Sequence, residues 1–281
     1  CADGRRAGRA QLMSQRISDC FTAAKLAGRN VLIPFITAGD PHPDWSVAVM
    51  HALVDGGADM IELGVPFSDP MADGTVIQLA SERAIKKQVS LSRVLQMVEE
   101  FRKSNSHTPV VLMGYMNPVE HYGRTRFPVD ATAAGVDGLL LVDCPPEERE
   151  DLGVAMNEAG LDGICLIAPT TTRDRIKDIC SVASGFIYYV SLKGITGTGQ
   201  LDSSELAGPV LQIREFSELP VAVGFGIKNA EMAAQVAEHA DAVVIGSALV
   251  EALSVAEYEE DACKVAKAFV APVRESLDNM A

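Results

Sequence analysis

Short apolar runs recur along the chain, and segments with a helical pattern separate them. The runs are rich in Val, Ile and Leu and are apolar at nearly every position. They therefore lack the alternation of apolar and polar residues that marks a strand with one solvent-exposed face. Continuous apolar runs of this length are typical of parallel strands covered on both faces. We predict eight such strands, ending near Thr37, Gly64, Tyr115, Asp143, Pro169, Ser191, Gly224 and Gly246.

The segments between these runs have the periodicity of amphipathic helices. In "DWSVAVMHALVDGGA" the apolar pattern stops at Gly56 and Gly57, as helix ends often do. The helix "NAEMAAQVAEHA" begins at Asn229, a good capping residue. The gap between Gly64 and Tyr115 is long enough for two helices, "VIQLASERAIKK" and "LSRVLQMVEEFRK", whereas we expect one helix in each other unit.

Eight strand–helix units predict an α/β fold, a closed TIM (β/α)8 barrel surrounded by helices. We expect an extra N-terminal helix covering the bottom of the barrel and an extra helix after strand 2. The rival is an open doubly wound sheet, but the first strand is followed by "AGDPHPDW" and not by G-x-G-x-x-G. The expected organisation is a single domain over residues 1–281, with a lead-in helix in 1–30, the barrel core in 31–253 and a C-terminal helix in 254–281.

Composition argues against several classes of partner, site and location. The chain has 281 residues and a net charge of −14, which argues against nucleic acid, because binding the phosphate backbone needs clustered Lys and Arg. The cysteines and histidines are scattered, with no C-x-x-C pair, so we expect no metal site, no disulfide framework and no histidine triad. No apolar run is long enough for a membrane span, and the first residues lack the apolar centre of a secretory signal. We expect a cytoplasmic protein; a transit-peptide remnant is the weaker alternative.

The candidate chemistry lies in the stretch "MIELGVPFSDPMADG", since active sites of such barrels lie at the carboxyl ends of the strands. Glu62 interrupts an apolar strand, where burial would raise the pKa of its carboxyl and suit it to proton transfer. The alternative is that Glu62 faces the helices and pairs with a lysine. Asp73 is either a second functional carboxylate or the cap of the following helix. Asp69 fits a turn, and Asp143 either acts in the site or orders its loop.

Glycines near the later strands indicate an anion site. Gly224-Phe225-Gly226 follows strand 7 and Gly246-Ser247 follows strand 8, the positions that bind phosphate in many such barrels. The alternative is two tight turns that need glycine for a positive φ. The loop after strand 6, "SLKGITGTGQLD", is either a mobile lid or a loop without function.

Six motifs, in order from about Val31 to Leu253, resemble the tryptophan synthase α subunit family. They are "PFITAGDP", "IELGVPFSDPMADG", "VLMGYMNP", "LLLVDCPPEE", "GITGTG" and "VGFGI…GSALV". The resemblance implies a TIM barrel lyase of tryptophan biosynthesis that cleaves indole-3-glycerol phosphate to indole and glyceraldehyde 3-phosphate by a retro-aldol reaction. It implies that Glu62 shuttles protons and that Asp73 stabilises positive charge on the indole nitrogen.

Further site residues follow from the same resemblance, one position at a time. Phe35, Met113 and Leu140 match walls of the indole pocket, Tyr188 matches a tyrosine near the substrate, and Thr196 matches a lid residue that contacts Asp73. The matched phosphate-binding positions are Gly197, Phe225, Gly226, Gly246 and Ser247.

The resemblance also implies a partner, a tryptophan synthase β subunit in an α2β2 heterotetramer that receives indole. The expected contact surface is formed by the loops "VPFSDPMADG", "MNPVEHYG" and "CPPEERE". No metal or cofactor is expected in this chain, and pyridoxal phosphate belongs to the partner. The alternatives are a stand-alone indole-releasing lyase, another phosphate-binding barrel enzyme, which would need a strand lysine or a different acid pair, and a phosphate-binding scaffold without activity.

Overall fold

The computed structural model describes residues 14–190, 204–224 and 226–280. Eight parallel strands close into a barrel in chain order, each hydrogen-bonded to the next and β8 to β1. This confirms the predicted TIM barrel. The strands are β1 Val31–Thr37, β2 Ile61–Gly64, β3 Val110–Gly114, β4 Gly138–Leu141, β5 Asp162–Ile167, β6 Ile187–Val190, β7 Val221–Gly224 and β8 Ala242–Ile245.

Helices surround the barrel and include the two extra helices that the sequence predicts, α1 before β1 and one of the pair α3 and α4 after β2. The helices of the described residues are α1 Gln15–Leu26, α2 Ser46–Asp55, α3 Thr75–Lys86, α4 Leu91–Arg102, α5 Met116–Tyr122, α6 Arg126–Ala134, α7 Glu150–Ala159, α8 Arg173–Val182, α9 Ser204–Arg214, α10 Ala230–Ala237, α11 Ser247–Leu253 and α12 Glu259–Asp278. As expected, the Asn229 side chain caps α10 by accepting from the Met232 amide at 2.9 Å.

The expectation of one helix in every other unit is wrong between β3 and β4. Two helices, α5 and α6, lie there, because Gly123 adopts a φ of +111° and ends α5. After β8, α11 is the one helix of its unit and α12 is the expected C-terminal helix. The fourth strand is shorter than predicted and ends at Leu141, so Asp143 lies in the following loop. Its Oδ1 accepts from the Met116 amide at 2.8 Å, which orders the start of α5.

The barrel wall separates two apolar layers, which explains why the strands are apolar throughout. In β2, Ile61 and Leu63 pack outward with the helices. Met60 packs into the barrel interior with side chains from the other strands. Helix α1 covers one end of this interior, where Phe21 contacts Phe186 with ring centroids 5.7 Å apart. Because alternate strand residues face opposite sides, Glu62 points inward with Met60.

No helix among residues 14–190, 204–224 and 226–280 is long and apolar enough to cross a membrane.

Candidate active site

Glu62 lies inside the barrel without a hydrogen-bond partner. Its residue is 3% exposed, and neither carboxyl oxygen is bonded within the described residues. Its Cα is in register with Phe35 of β1 and Val111 of β3. Burial, with a smaller contribution from the negative charge of Asp73, raises the pKa of Glu62 to about 8. An inward-facing carboxyl that is bonded to no cation in the part of the chain that the structure describes does not match the alternative of a helix-facing Glu62 paired with lysine.

Asp73 lies on the loop between β2 and α3. Its Oδ2 accepts a hydrogen bond from the Tyr115 hydroxyl at 3.0 Å. Gly74 is the N-cap of α3 and no side-chain capping bond is made there, so Asp73 does not act as the helix cap. The loop is fixed by backbone contacts, since the Asp73 amide donates to the Pro70 carbonyl at 3.0 Å and Gln78 Nε2 donates to the Asp73 carbonyl at 2.8 Å.

The two carboxyls are electrostatically coupled. Burial raises the pKa of Asp73 and the hydrogen bond from Tyr115 opposes this rise. The negative charge of Asp73 adds to the rise in the pKa of Glu62, so an ionised Asp73 favours the protonated form of Glu62.

A narrow cavity at the mouth of the barrel connects the expected pocket walls to Asp73. It is lined by Phe35, Thr37, Met113 and Tyr115 together with Asp73 and neighbouring backbone. Its free volume is about 10 Å³, which is room for about one water molecule.

Comparison with known proteins identifies the family. The family model described as tryptophan synthase alpha chain matches residues 21–278. The chain belongs to the tryptophan synthase alpha chain family. It is 57% identical over 244 residues to the tryptophan synthase alpha chain of Chromobacterium violaceum, covering 87% of this chain and 92% of that protein. It is 56% identical over 266 residues to that of Burkholderia thailandensis, covering 95% and 98% respectively.

Solved structures agree with the sequence comparison. The crystal structure of tryptophan synthase subunit alpha from Legionella pneumophila superposes with a TM-score of 0.87 at 45% identity, covering 94% of this chain and 98% of that one. The resemblance drawn from the motifs is therefore confirmed. Alpha chains of tryptophan synthase are lyases that cleave indole-3-glycerol phosphate, and the chain accordingly has the role of an α subunit in tryptophan biosynthesis.

The remaining alpha chain positions divide between the barrel interior and the mouth. Leu140 and Tyr188 pack in the interior, and burial, with a smaller contribution from the charge of Glu62, raises the pKa of Tyr188. The sequence predicts Gly224 as part of the anion site. A Cβ at Gly224 would overlap the Tyr188 hydroxyl, so this glycine makes room for the tyrosine.

The predicted phosphate positions are only partly within the described residues. Gly226 has a φ of +78° after β7, and Gly246 is the N-cap of α11, whose first residue is Ser247. A Cβ on Gly246 would lie 3.3 Å from the Phe35 Cβ, so this turn packs directly against the pocket wall. Thr196, Gly197 and Phe225, with the predicted lid 191–202, lie outside the described residues.

Tyr115 is the residue of the site that sequence reasoning missed. It was used only as the marker for the end of strand 3, although the motif "VLMGYMNP" contains it. Besides donating to Asp73, its hydroxyl accepts from the Ala72 amide at 3.0 Å, and its ring stacks on Phe67 with centroids 5.2 Å apart. The signal available was an aromatic hydroxyl at the carboxyl end of a barrel strand.

No cluster of three or more His, Cys, Asp or Glu side chains suited to a metal ion occurs among the residues that the structure describes.

Proposed function

We propose that this chain cleaves indole-3-glycerol phosphate with Glu62 as the proton shuttle and Asp73 as the stabiliser of developing charge. The observation that carries the proposal is the buried carboxyl of Glu62, which has no hydrogen-bond partner among the described residues and whose pKa of about 8 leaves it protonated at neutral pH. We assign the anion of the reaction to the Asp73 carboxylate, which accepts from Tyr115. An acid and an anion in one apolar site are the two groups that this cleavage needs.

The reaction follows from these two charge states. Glu62 donates its proton to indole C3, which removes the aromatic stabilisation and places positive charge on the ring nitrogen. The Asp73 carboxylate accepts a hydrogen bond from the ring N–H and stabilises this charge where it develops. The bond between C3 and the side chain then breaks as the side-chain hydroxyl forms the aldehyde and returns its proton to Glu62. The acid is regenerated, and the products are indole and glyceraldehyde 3-phosphate.

We assign the surrounding residues to binding and orienting the substrate. Phe35, Met113 and Leu140 would enclose the indole ring, and Tyr188 would lie beside the reacting side chain. For the phosphate we assign Gly197, Phe225, Gly226, Gly246 and Ser247, whose backbone amides would bind an anion near the start of α11. Thr196 is assigned to closure over Asp73. These roles rest on the family resemblance together with the positions of the described members.

We further propose that the chain works with a tryptophan synthase β subunit in a cytoplasmic α2β2 complex, and that pyridoxal phosphate belongs to the β subunit. The loop that carries Asp73 supports a docking role, because Met71 is 82% exposed on it. An exposed methionine directly after Pro70 offers an apolar anchor for a partner surface.

Indole release from indole-3-glycerol phosphate, measured with and without a β subunit, tests the activity and the partnership separately. The unmodified chain should release indole, Glu62→Gln should release none above background, and Glu238→Gln, an exposed change of the same chemistry, should behave as the unmodified chain. Full activity in Glu62→Gln would refute the proton shuttle. Activity that does not respond to the β subunit would favour a stand-alone lyase.

A further inference from the structure

One of the contacts that hold Asp73 in place comes from the helix that follows it. It lies two residues before α3, and the Gln78 side chain of that helix bonds its backbone carbonyl. The Tyr115 hydroxyl contacts the carboxylate but is itself at the end of another strand. The position of Asp73 at the mouth of the barrel therefore depends on the position of α3 relative to the strands.

The far half of α3 is attached to the loop after β1 by a two-pronged ion pair. Arg83 Nε and Nη2 donate to Asp40 Oδ1 and Oδ2 at 2.6 and 2.9 Å. The Asp40 side chain is 2% exposed, whereas that of Arg83 is 35% exposed. Within the described residues, Arg83 is the donor recorded for both carboxylate oxygens. A fork-to-fork pair of this kind fixes orientation as well as distance.

Two further contacts bring α3 against the same loop. Lys87 Nζ donates to the Pro41 carbonyl. Gly39 has a φ of +88°, and a Cβ there would overlap Val89, which follows α3, and approach the Ala84 Cβ to 3.3 Å. The loop and the helix are thus interlocked with no space between them.

The near half of α3 is held by apolar packing and by Gln78, whose Nε2 donates to the Asp73 carbonyl at 2.8 Å. Ile77 and Ala80 pack against Phe35 and Val250, and these contacts are not directional. Arg83 is eight residues beyond the first residue of α3, about 12 Å along the axis at 1.5 Å per residue. A shift of the helix at Arg83 is therefore transmitted to its start, because a helix moves as a stiff rod over this length.

We infer that Arg83 and Asp40 form a positioning pair that fixes α3 against the loop after β1 and so holds Asp73 at the position from which it acts on the substrate. Neither residue touches the substrate in this scheme. The inference rests on the proposed role of Asp73 and extends the active machinery to the motif "TAGDP", whose aspartate had no role in the reaction.

The test compares Arg83→Gln and Arg83→Lys with Arg16→Gln. Arg16 is a matched control because it is 34% exposed and donates from Nε at 2.8 Å to Asp137, which is 2% exposed. Asp137 lies directly before β4, at the opposite end of the barrel. Each variant of the full chain is assayed for kcat and KM of indole release, with and without β subunit, and for its thermal midpoint.

Arg83→Gln should lower kcat about tenfold and change KM less than about threefold, because the affected group acts on the transition state. Arg83→Lys, which keeps the charge and loses the fork, should recover part of the rate. Arg16→Gln should lower the thermal midpoint while kcat stays within about twofold. A wild-type kcat in Arg83→Gln, or an equal loss in Arg16→Gln, would overturn the inference.

Combination with Asp73→Asn separates this inference from the proposed function. If Arg83 acts through Asp73, adding Arg83→Gln to the Asp73→Asn variant should lower kcat by less than about twofold. A wild-type rate in Asp73→Asn alone would remove the proposed function. If Asp73→Asn is slow and the double variant loses a further tenfold in kcat, the positioning role of Arg83 is refuted and the proposed function stands.

Hydrogen exchange gives a readout that does not need activity. In Arg83→Lys, the amides at the start of α3, over residues 75–79, should exchange faster than in the unmodified chain, and in Arg16→Gln they should not change. Unchanged exchange in Arg83→Lys would contradict the inference even if Arg83→Gln fails to fold.

Discussion

Replacing Glu62 by Gln is expected to change how folding stability depends on pH. The carboxyl is buried with no hydrogen-bond partner among the described residues, so the folded protein favours its neutral form. Glutamine is neutral at every pH and has nearly the same shape as the protonated side chain. The substitution therefore removes the free-energy cost of protonating this carboxyl on folding, while it leaves the packing of the barrel interior in place.

The magnitude follows from the two pKa values of Glu62. Folding raises its pKa from 4.5 to about 8. Between these values the unfolded chain binds fewer protons than the folded one, so the free energy of unfolding falls as pH rises through this window. At about 1.4 kcal/mol per pH unit, the loss is about 1 kcal/mol at pH 5, about 3 kcal/mol at pH 7 and about 5 kcal/mol above pH 9.

Urea unfolding of the unmodified chain and Glu62→Gln at pH 5, 7 and 9 measures this difference. The advantage of Glu62→Gln should grow by about 4 kcal/mol across the series, and the exposed change Glu238→Gln serves as the control for loss of a glutamate. A difference for Glu62→Gln that stays flat from pH 5 to 9 would show that Glu62 is ionised at ordinary pH in the folded protein. The reasoning on its role as an acid would then fail with it.

The same carboxyl should set the alkaline limb of activity. We expect kcat/KM for indole release to fall about tenfold per pH unit above about pH 8, as Glu62 loses its proton, and a profile that stays level to pH 10 would contradict this. Asp73→Asn should lower kcat by at least about a hundredfold with a thermal midpoint near that of the unmodified chain; a large loss of stability with little loss of rate would instead indicate a structural role. Tyr115→Phe, which removes a hydrogen bond to Asp73, should lower kcat about tenfold and reduce the acidity of Asp73, and an unchanged rate would exclude it from the site. Gly224→Ala should displace the Tyr188 hydroxyl and reduce activity, while a variant with wild-type kinetics would show that Tyr188 is free to move.

The candidate site was only partly predictable from the sequence. Glu62 was found because a carboxylate in an apolar strand is unusual wherever the strand lies. Tyr115 and Arg83 were missed, because an aromatic residue at a strand end and an arginine on a helix are ordinary until their partners are known. Asp40 is 43 residues from Arg83 in the chain, and nothing in the local pattern of either residue indicates the other.

The sequence by itself determined the eight strands and their order, because strand and helix periodicities depend on neighbours along the chain. It also determined the end of α2 at Gly56 and the cap of α10 at Asn229, since such signals are local. Only the tertiary structure decided that Glu62 faces the barrel interior and that Asp73 bonds Tyr115 instead of capping α3. The physical reason is that burial, desolvation and charge coupling depend on residues distant in sequence, and the closed barrel is what brings them within reach.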